Sequence, residues 1–446
     1  MPSAMDFTTG SIRKALIRFS IPFFLTSLIQ SLYNIADIMV VGRYCGNEGI
    51  AAASIAGSLT SSIIFMIISL CNGGAIMTAQ YAGKKSGEDI RETVSSLFSM
   101  MLILAVFVTV VSLLLANPLL RALNTPPEAF AGTARYYTVC MAGSVFVFGY
   151  NAMASALQGL GDSRTPMYFS VGSCLMNIGL DVFFVGALGM DVAGAAIATV
   201  ISQATAMIGL GVYLWRAGFF ADYTLGGVRL IPKKAAMILK LGLPGALQSL
   251  VVSGGFLMVS SITNSLGVSA ASGVAVASKI NNICQMPAGA IGSATSSMVG
   301  QNVGGKNYDR ARSTLKNAIG ISLAVGLVAF AVVQAAPMPL LRLLADDEDV
   351  LAHALPYLRV TALDYLLVAL VFPLNALCNG SGHTIFTMIP SFVSSVVARI
   401  PVAYFCVRAL NLGMVGIAIS TPTGTLSAIL ICAAYYYSNR WCKEAI

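Results

Sequence analysis

The chain has 446 residues, of which 57% are hydrophobic and only 10% are charged, and it carries a formal net charge of +8. A soluble domain carries roughly 25% charged residues, so this composition excludes a protein with a fully water-facing surface and predicts one that lies in a bilayer. At about 20 residues per span plus short loops, the length allows roughly twelve transmembrane helices. The apolar runs are long, continuous and rich in Leu, Ile, Val and Ala, which favours helices over barrel strands.

Residues 1–20 contain three basic residues ahead of an apolar stretch that is too long for a signal-peptide core, and no clear cleavage site follows. We interpret them as a cytoplasmic tail that leads into the first of two sets of six spans. The first six spans are predicted at 16–41, 50–81, 93–116, 133–157, 167–188 and 191–215. The second six are predicted at 236–265, 270–303, 314–341, 354–378, 385–408 and 412–437.

The longest polar connection, residues 216–240, separates these two sets and is predicted to be a cytoplasmic linker. This divides the chain into an N-lobe at 1–215 and a C-lobe at 241–446. With the N-terminus in the cytoplasm, most of the 26 Lys and Arg residues fall in cytoplasmic segments, while the acidic run 346–349 falls outside. The distribution of positive charge therefore indicates the topology of a plasma-membrane protein whose two termini are both cytoplasmic. It does not indicate a nucleic-acid partner.

The two sets of spans resemble each other at an offset of about 221 residues, which predicts an internal duplication. Each half has an even number of spans, so both halves enter the membrane from the same side and form a parallel repeat. Many secondary transporters are built from such repeats. The matching residues are Gln80, Gly83 and Arg91 with Gln301, Gly304 and Arg312, Gly159, Gly161 and Met167 with Gly380, Gly382 and Met388, and Pro22 with Pro244.

Two aspartates, Asp37 and Asp181, lie inside predicted spans of the first half, and no basic residue lies deep enough in these spans to neutralise them, since Arg135 is too near a span end. A buried carboxylate is costly in lipid unless it faces a wet cavity or binds a proton or a cation. Three helices of this half present narrow polar faces at helical spacing. These faces carry Thr26, Gln30, Asn34 and Asp37 on the first helix, Asn177 and Asp181 on the fifth, and Thr199 and Gln203 on the sixth.

If both carboxyl groups face one cavity, their charges repel, and the site must take up a proton, a sodium ion or a cationic substrate. This competition is the chemistry of an antiporter. The alternative for the neutral polar residues is hydrogen bonding between helices without a transport role. In the second half, Asp364 and Arg399 either form a buried ion pair or have separate roles.

Other sites are not expected. The nine cysteines are scattered without a CxxC pair, which disfavours a metal site or a disulfide framework. The segment Gly300–Lys306 nearly satisfies a phosphate-binding loop, but Asn307 replaces the required Ser or Thr and the preceding run is a helix. We therefore expect no nucleotide, no resident cofactor and no enzymatic activity.

The chain resembles the MATE family, the multidrug and toxic compound extrusion transporters, over essentially its whole length. The segments that carry the resemblance are Ile21–Pro22 with Asn34–Asp37, Ala79–Gly83, Gln158–Pro166, Asn177–Asp181 and Gly194–Thr199. The resemblance implies two six-helix bundles and export of organic cations in exchange for protons or sodium ions. It also implies, for the DinF-like prokaryotic type, that a cluster in the first lobe binds the coupling ion: Asp37, Asn177, Asp181 and Thr199.

We accordingly expect a monomeric plasma-membrane exporter of small cationic molecules. Its substrate is expected to contact Gln30, Asn34, Asp37, Asp181 and Gln203. In the NorM-like type one acid lies on the seventh helix and another on the tenth. Here the seventh has none, and Asp364 lies about a turn from the other position, so sodium coupling through the second lobe is not expected. The alternative function is flipping of lipid-linked saccharides or peptidoglycan precursors, which calls for a basic cavity.

Overall fold

The computed structural model describes residues 5–123, 125–224 and 229–443, with the exception of the side chain of Asn47. These residues are predominantly helical and form no β-strand, so the predicted all-α fold class is confirmed. The principal helices, numbered in chain order, are α1 (Ile12–Gly46), α2 (Glu48–Lys84), α3 (Gly87–Ala122), α4 (Pro127–Ala142 and Ser144–Gly159), α5 (Arg164–Ala187), α6 (Asp191–Arg216), α7 (Pro232–Asn264), α8 (Val268–Gly304), α9 (Tyr308–Ala335), α10 (Glu348–Thr361 and Asp364–Gly380), α11 (Ile385–Arg408) and α12 (Gly413–Tyr437).

Nine of these helices in the described chain are long and apolar enough to cross a membrane, and each of the two bent pairs, α4 and α10, can supply one more span. The remaining helix, α8, is 37 residues long but carries polar residues along its length, among them Lys279 and Asn282. Together they make the twelve spans that were predicted from the sequence.

Several helix ends depart from the predicted spans for a local reason. α1 and α2 are joined without a loop, because Gly46 turns the chain with a φ of 66° that other residues rarely adopt. The predicted span 314–341 is wrong at its C-terminal end. Helix α9 stops at Ala335, where Ala336 is pushed out of helical geometry by the following Pro337, and Pro337–Arg342 forms a separate short helix.

Two of the predicted continuous spans are bent. α4 turns by 45° at Gly143, and α10 turns by 47° between Thr361 and Asp364. The two bends lie at corresponding positions of the repeat, since Gly143 and Asp364 are separated by the same offset as the sequence matches. The duplication is therefore visible in backbone geometry as well as in residue identities.

The chain forms two compact units. Among the described residues, the first comprises Met5 and the part of the chain from 25 to 242, and the second comprises residues 6–24 and 243–443. The first turns of α1 thus belong to the second unit, whereas the first turns of α7 belong to the first. The units differ in this respect from the lobes drawn at 1–215 and 241–446. The predicted linker 216–240 includes the end of α6, the short helix Phe219–Tyr223 and the start of α7, while residues 225–228 lie outside the described chain.

Helix packing repeats in the two units. A Cβ on Gly159 would lie 2.6 Å from the carbonyl oxygen of Ala75, and a Cβ on Gly380 would lie 2.4 Å from that of Ser296. The two pairs are related by the offset of about 221 residues. Small residues let membrane helices approach closely, so α2 and α4 in the first unit pack as α8 and α10 do in the second.

Candidate functional site

The polar site of the first unit is built on three helices, α1, α5 and α6. Asp37 lies in the C-terminal third of α1, and α5 contributes Asn177 and Asp181, which are separated by one helical turn. Asp181 is fully buried and Asn177 is 2% exposed. A π-helical segment, Val182–Ala187, begins directly after Asp181. Such segments change the direction of side chains within a helix and are frequent at functional sites.

The carboxyl groups of Asp37 and Asp181 lie within hydrogen-bonding reach of each other, and we refer to them as the carboxyl pair. The Oδ1 atom of each is buried without a hydrogen-bond partner. No Lys, Arg or His among the described residues forms an ion pair with either carboxyl. The pair therefore has no resident counter-charge, and two ionised carboxylates at this distance would repel each other strongly.

The amide of Asn177 connects the carboxyl pair to α6. In the orientation that satisfies its neighbours, its Nδ2 donates to Asp181 Oδ2 at 3.0 Å and its Oδ1 accepts from the backbone N–H of Thr199 at 3.0 Å. The Thr199 hydroxyl donates to the carbonyl of Ala195 at 3.0 Å. The structure thus brings together Asp37, Asn177, Asp181 and Thr199, which we call the first-lobe site.

Two tyrosines that the sequence analysis overlooked also reach this site. The Tyr33 hydroxyl lies 3.4 Å from the Thr199 hydroxyl, and Tyr136 of α4 lies close to Thr199 and Asp37. Tyr33 is one turn from Asp37 on the same face of α1, so helical spacing could have identified it. Tyr136 carries no such signal, because only the packing of α4 brings it here.

The other predicted substrate-contacting residues lie outside this cluster. Gln30 donates a long hydrogen bond of 3.5 Å to Ser170 of α5, which lies about two turns from Asn177. Asn34 is exposed and Gln203 is half-buried, and neither makes a hydrogen bond with the described residues. Their predicted contact with substrate stays a prediction.

The second unit contains the polar pair considered in the sequence analysis, but Asp364 and Arg399 do not form a salt bridge. Their charged atoms lie beyond 4.0 Å, although each residue remains in the electrostatic neighbourhood of the other. Asp364 Oδ2 instead accepts from Gln285 at 3.4 Å, and Thr425 is a second hydrogen-bonding neighbour. Of the two alternatives, the ion pair is therefore wrong, because Gln285 engages one oxygen of the carboxyl from another helix.

The side chains of the first-lobe site are suited to binding a cation reversibly. One proton shared between the carboxyl pair would remove the repulsion and use an oxygen that now lacks a partner. A sodium ion would find carboxylate, amide and hydroxyl oxygens, which are suitable ligands for a hard cation. The described residues contain no cluster of three or more His, Cys, Asp or Glu that could hold a metal ion. Any metal bound here would therefore need oxygen ligands beyond the two carboxyls, such as those of Asn177 or Thr199.

Comparison with known proteins agrees with the repeat and the fold. The MatE family model matches the chain twice, at residues 22–183 and 244–405. The chain is 28% identical to the probable multidrug resistance protein YpnP of Bacillus subtilis, covering 98% of both chains. It is 26% identical to the probable multidrug resistance protein NorM of Thermotoga maritima, covering 98% of this chain and 94% of that one.

Among solved structures, the fold is similar to the outward-facing conformation of a multidrug resistance MATE family transporter of the MOP superfamily. The TM-score is 0.92 at 24% identity, and the similarity covers 97% of both chains. The two matched segments of the family model together span most of the sequence and divide it as the duplication does. The chain is therefore a multi-pass membrane protein that belongs to the MatE family of transporters.

Proposed function

We propose that this protein exports small organic cations from the cell and drives the export by letting a proton or a sodium ion bind at the first-lobe site. The multidrug resistance names of the relatives support the export of small molecules. The buried carboxyl pair without a resident counter-charge supports the coupling. Since an ion that binds the pair competes with a cationic substrate, inward ion movement would favour the state that has released its cargo.

The single observation that carries the proposal is the pairing of Asp37 with Asp181 inside the membrane-spanning part of the chain. Interhelical hydrogen bonding alone would be served by one carboxyl and a donor, as in the contact between Asn177 and Asp181. A second carboxyl adds repulsion and desolvation cost without adding a donor. Such a cost is expected at a transport site, because the site must bind a cation and release it again in every cycle.

A proton is the coupling ion that the proposal favours. The carboxyl pair can accept a proton without any change of ligand geometry, whereas a sodium ion needs several oxygens arranged around one point. The basic residues of the predicted cytoplasmic loops support placing both termini in the cytoplasm of a plasma-membrane protein. A flippase for lipid-linked saccharides would need basic groups to bind the pyrophosphate. The described first-lobe site contains carboxyl groups instead, which disfavours this alternative.

The test is efflux of ethidium from proteoliposomes under a proton gradient or a sodium gradient imposed separately. Asp37→Asn and Asp181→Asn should each abolish gradient-driven efflux, while the exposed loop variant Asp346→Asn serves as a matched control and should transport normally. Folding is checked by gel filtration of each purified variant. Normal efflux in both Asp37→Asn and Asp181→Asn would remove the site assignment, and dependence on sodium alone would replace the proton as the coupling ion.

A further inference from the structure

The side chain of Arg399 lies deep in α11, and its guanidinium group has no hydrogen-bond acceptor among the described residues. It lies about 21 Å from the first residue of the helix and about 14 Å from the last, at a rise of about 1.5 Å per residue. The side chain is half-buried, and its Nε is buried without a hydrogen-bond partner. No described carboxylate forms an ion pair with it. An unpaired arginine at such a depth is costly in lipid, so it must face water or bind an anion.

The nearest carboxylate is held away from this guanidinium. Asp364 is 3% exposed and remains near Arg399, yet its Oδ2 is engaged by Gln285 of α8 at 3.4 Å. Its Oδ1 has no partner either. A carboxylate and a guanidinium form a strong bidentate contact when they are free to meet. Here both keep an unsatisfied atom, so the fold leaves room at the guanidinium for another acceptor.

The backbone around Arg399 is irregular, and this irregularity affects the direction of the Arg399 side chain. It is the last residue of a π-helical segment, Val393–Arg399, and Pro401 follows two residues later. Proline has no N–H and clashes with the carbonyl of the preceding turn, which widens the helix locally. Such a segment re-aims the side chain away from the direction that an ordinary α-helix would give it.

Arg399 also lies within one residue of the position that corresponds to Asn177 of the first-lobe site, since the offset of 221 residues gives Ala398 and the ends of the family match give Arg399. The two segments that match the family model end at residues 183 and 405. Counting six residues back from these ends gives Asn177 in the first half and Arg399 in the second. The duplicated scaffold thus carries a neutral amide beside a carboxyl pair in one half and a permanent cation in the other.

The exposed residues of α8 in the same unit include polar side chains. Lys279 and Asn282 are exposed on this helix together with the apolar Ile283, and Lys279 makes no ion pair with the described residues. In contrast, α9 exposes apolar side chains such as Leu327, at 56%, and Val328, at 64%. An unpaired lysine is costly in lipid, so the part of α8 around Lys279 is better suited to an aqueous cavity than the apolar face of α9 is.

We propose that the second unit holds an anion-binding subsite in which the Arg399 guanidinium binds a carboxylate group of the transported substrate. The inference rests on the proposed export function and narrows its substrates to amphipathic zwitterions. In these molecules a cationic group is accompanied by a carboxylate. Lys279 adds positive potential to the same unit from the water-facing side of α8.

The test uses two dyes that differ by one methyl group, tetramethylrhodamine free acid, which is zwitterionic, and its methyl ester, which is only cationic. Binding to the purified full-length protein in detergent is measured by fluorescence polarisation. Arg399→Gln should weaken binding of the free acid at least tenfold and change binding of the ester less than twofold. Arg399→Lys keeps the charge and should retain most of the affinity for the free acid.

An equal loss for both dyes in Arg399→Gln, or no loss for either, would overturn the proposal. If Arg399→Gln does not fold, the decision rests on Lys279→Cys in a cysteine-free background. A membrane-impermeant thiol reagent should label it in proteoliposomes, and the free acid should slow this labelling more than the ester. Val328→Cys on the apolar face of α9 is the matched control and should stay unlabelled. Absence of labelling at Lys279→Cys, or equal protection by both dyes, would contradict the subsite.

These outcomes are separable from failure of the export function. Binding in detergent requires no ion gradient, so the two dyes can be distinguished even if the carboxyl pair is not the coupling site. Conversely, gradient-driven efflux of the methyl ester that depends on Asp181 would support export even if Arg399 proved unimportant.

Discussion

The amide of Asn177 donates to the carboxyl of Asp181 at 3.0 Å, one helical turn along α5, and accepts from α6 at the same time. It therefore fixes the orientation of the one carboxyl group in the first-lobe site that is fully buried. Asp37, which comes from α1, has no comparable donor in the described chain. The two members of the carboxyl pair are held unequally, with Asp181 positioned by the protein and Asp37 free to respond to the cation.

Replacing Asn177 by alanine should weaken ion coupling without unfolding the protein. A hydrogen bond to a charged group contributes about 1.5–3 kcal/mol, so the concentration of coupling ion needed for half-maximal efflux should change by at least tenfold. The measurement is ethidium efflux as a function of proton or sodium concentration. Thr205→Ala, on the exposed side of α6, is a suitable control because its hydroxyl only bonds its own helix. An unchanged ion dependence in Asn177→Ala would show that the amide does not act on the site.

Alanine substitution at two helical glycines should have opposite effects on stability. In Gly159→Ala the new Cβ would lie 2.6 Å from the carbonyl oxygen of Ala75, and α2 and α4 must separate. We expect a loss of about 1–3 kcal/mol. In Gly172→Ala the Cβ meets nothing within 4 Å, and the higher helix propensity of alanine should add about 0.5–1 kcal/mol. Thermal denaturation in detergent would measure both, and equal shifts would contradict the close approach.

Lys234 should anchor the start of α7 to the first unit. It is 8% exposed, and its Nζ lies 2.5 Å from Asp89 Oδ1, 3.5 Å from Glu92 Oε2 and 4.1 Å from the centre of the Tyr81 ring. Lys234→Met keeps the apolar stem but removes the charge. Because Asp89 is partly exposed and can regain water, we expect a loss of only about 1–2 kcal/mol.

A double-mutant cycle with Asp89→Asn would check this contact through the thermal stability of the two single variants and the double variant. The coupling between the two positions should account for most of the loss in Lys234→Met. Additive effects would show that the lysine stabilises α7 through packing rather than through the ion pair.

The sequence predicted the spans well because bilayer thickness and apolar composition constrain helix length directly. It predicted the neighbours Asn177 and Asp181, since residues four apart share a helix face. The contact between Asp37 and Asp181 was inferred from charge alone, because no basic residue lies near either aspartate along α1 or α5 in the middle of its span. The fold places the carboxyls together, but the role of the first-lobe site in coupling remains a prediction.

What the sequence could not predict depends on backbone irregularity and on contacts between distant segments. The π-helical segments Val182–Ala187 and Val393–Arg399 rotate side chains by an amount that regular helical spacing does not include. The separation of Asp364 from Arg399 depends on Gln285, which lies 79 residues from Asp364 and competes for its carboxyl. Tyr136 reaches Thr199 only because α4 packs against α6. These features follow from packing geometry and not from composition.

The N-terminal segment before α1 should detach from the second unit when Arg310 is replaced. Arg310 Nε donates to the carbonyl of Phe7 at 2.8 Å and its Nη2 donates to the carbonyl of Gly10 at 2.8 Å, while the Phe7 ring is fully buried against Phe19. Hydrogen bonds from a charged donor contribute about 1.5–3 kcal/mol each, so Arg310→Met should make residues 5–11 accessible to protease.

Limited proteolysis followed by mass spectrometry would measure the rate of cleavage in this segment. Lys316→Met provides the matched control, because Lys316 is an exposed basic residue on the same helix, and no hydrogen bond or ion pair joins it to the described part of the segment. We expect Arg310→Met to be cleaved at least tenfold faster than the control, and the buried Phe7 ring to become accessible as the backbone anchors are lost. Cleavage at the rate of the Lys316→Met control would mean that burial of Phe7 and the hydrogen bond from its N–H to Gln301, at 3.0 Å, hold the segment without the arginine.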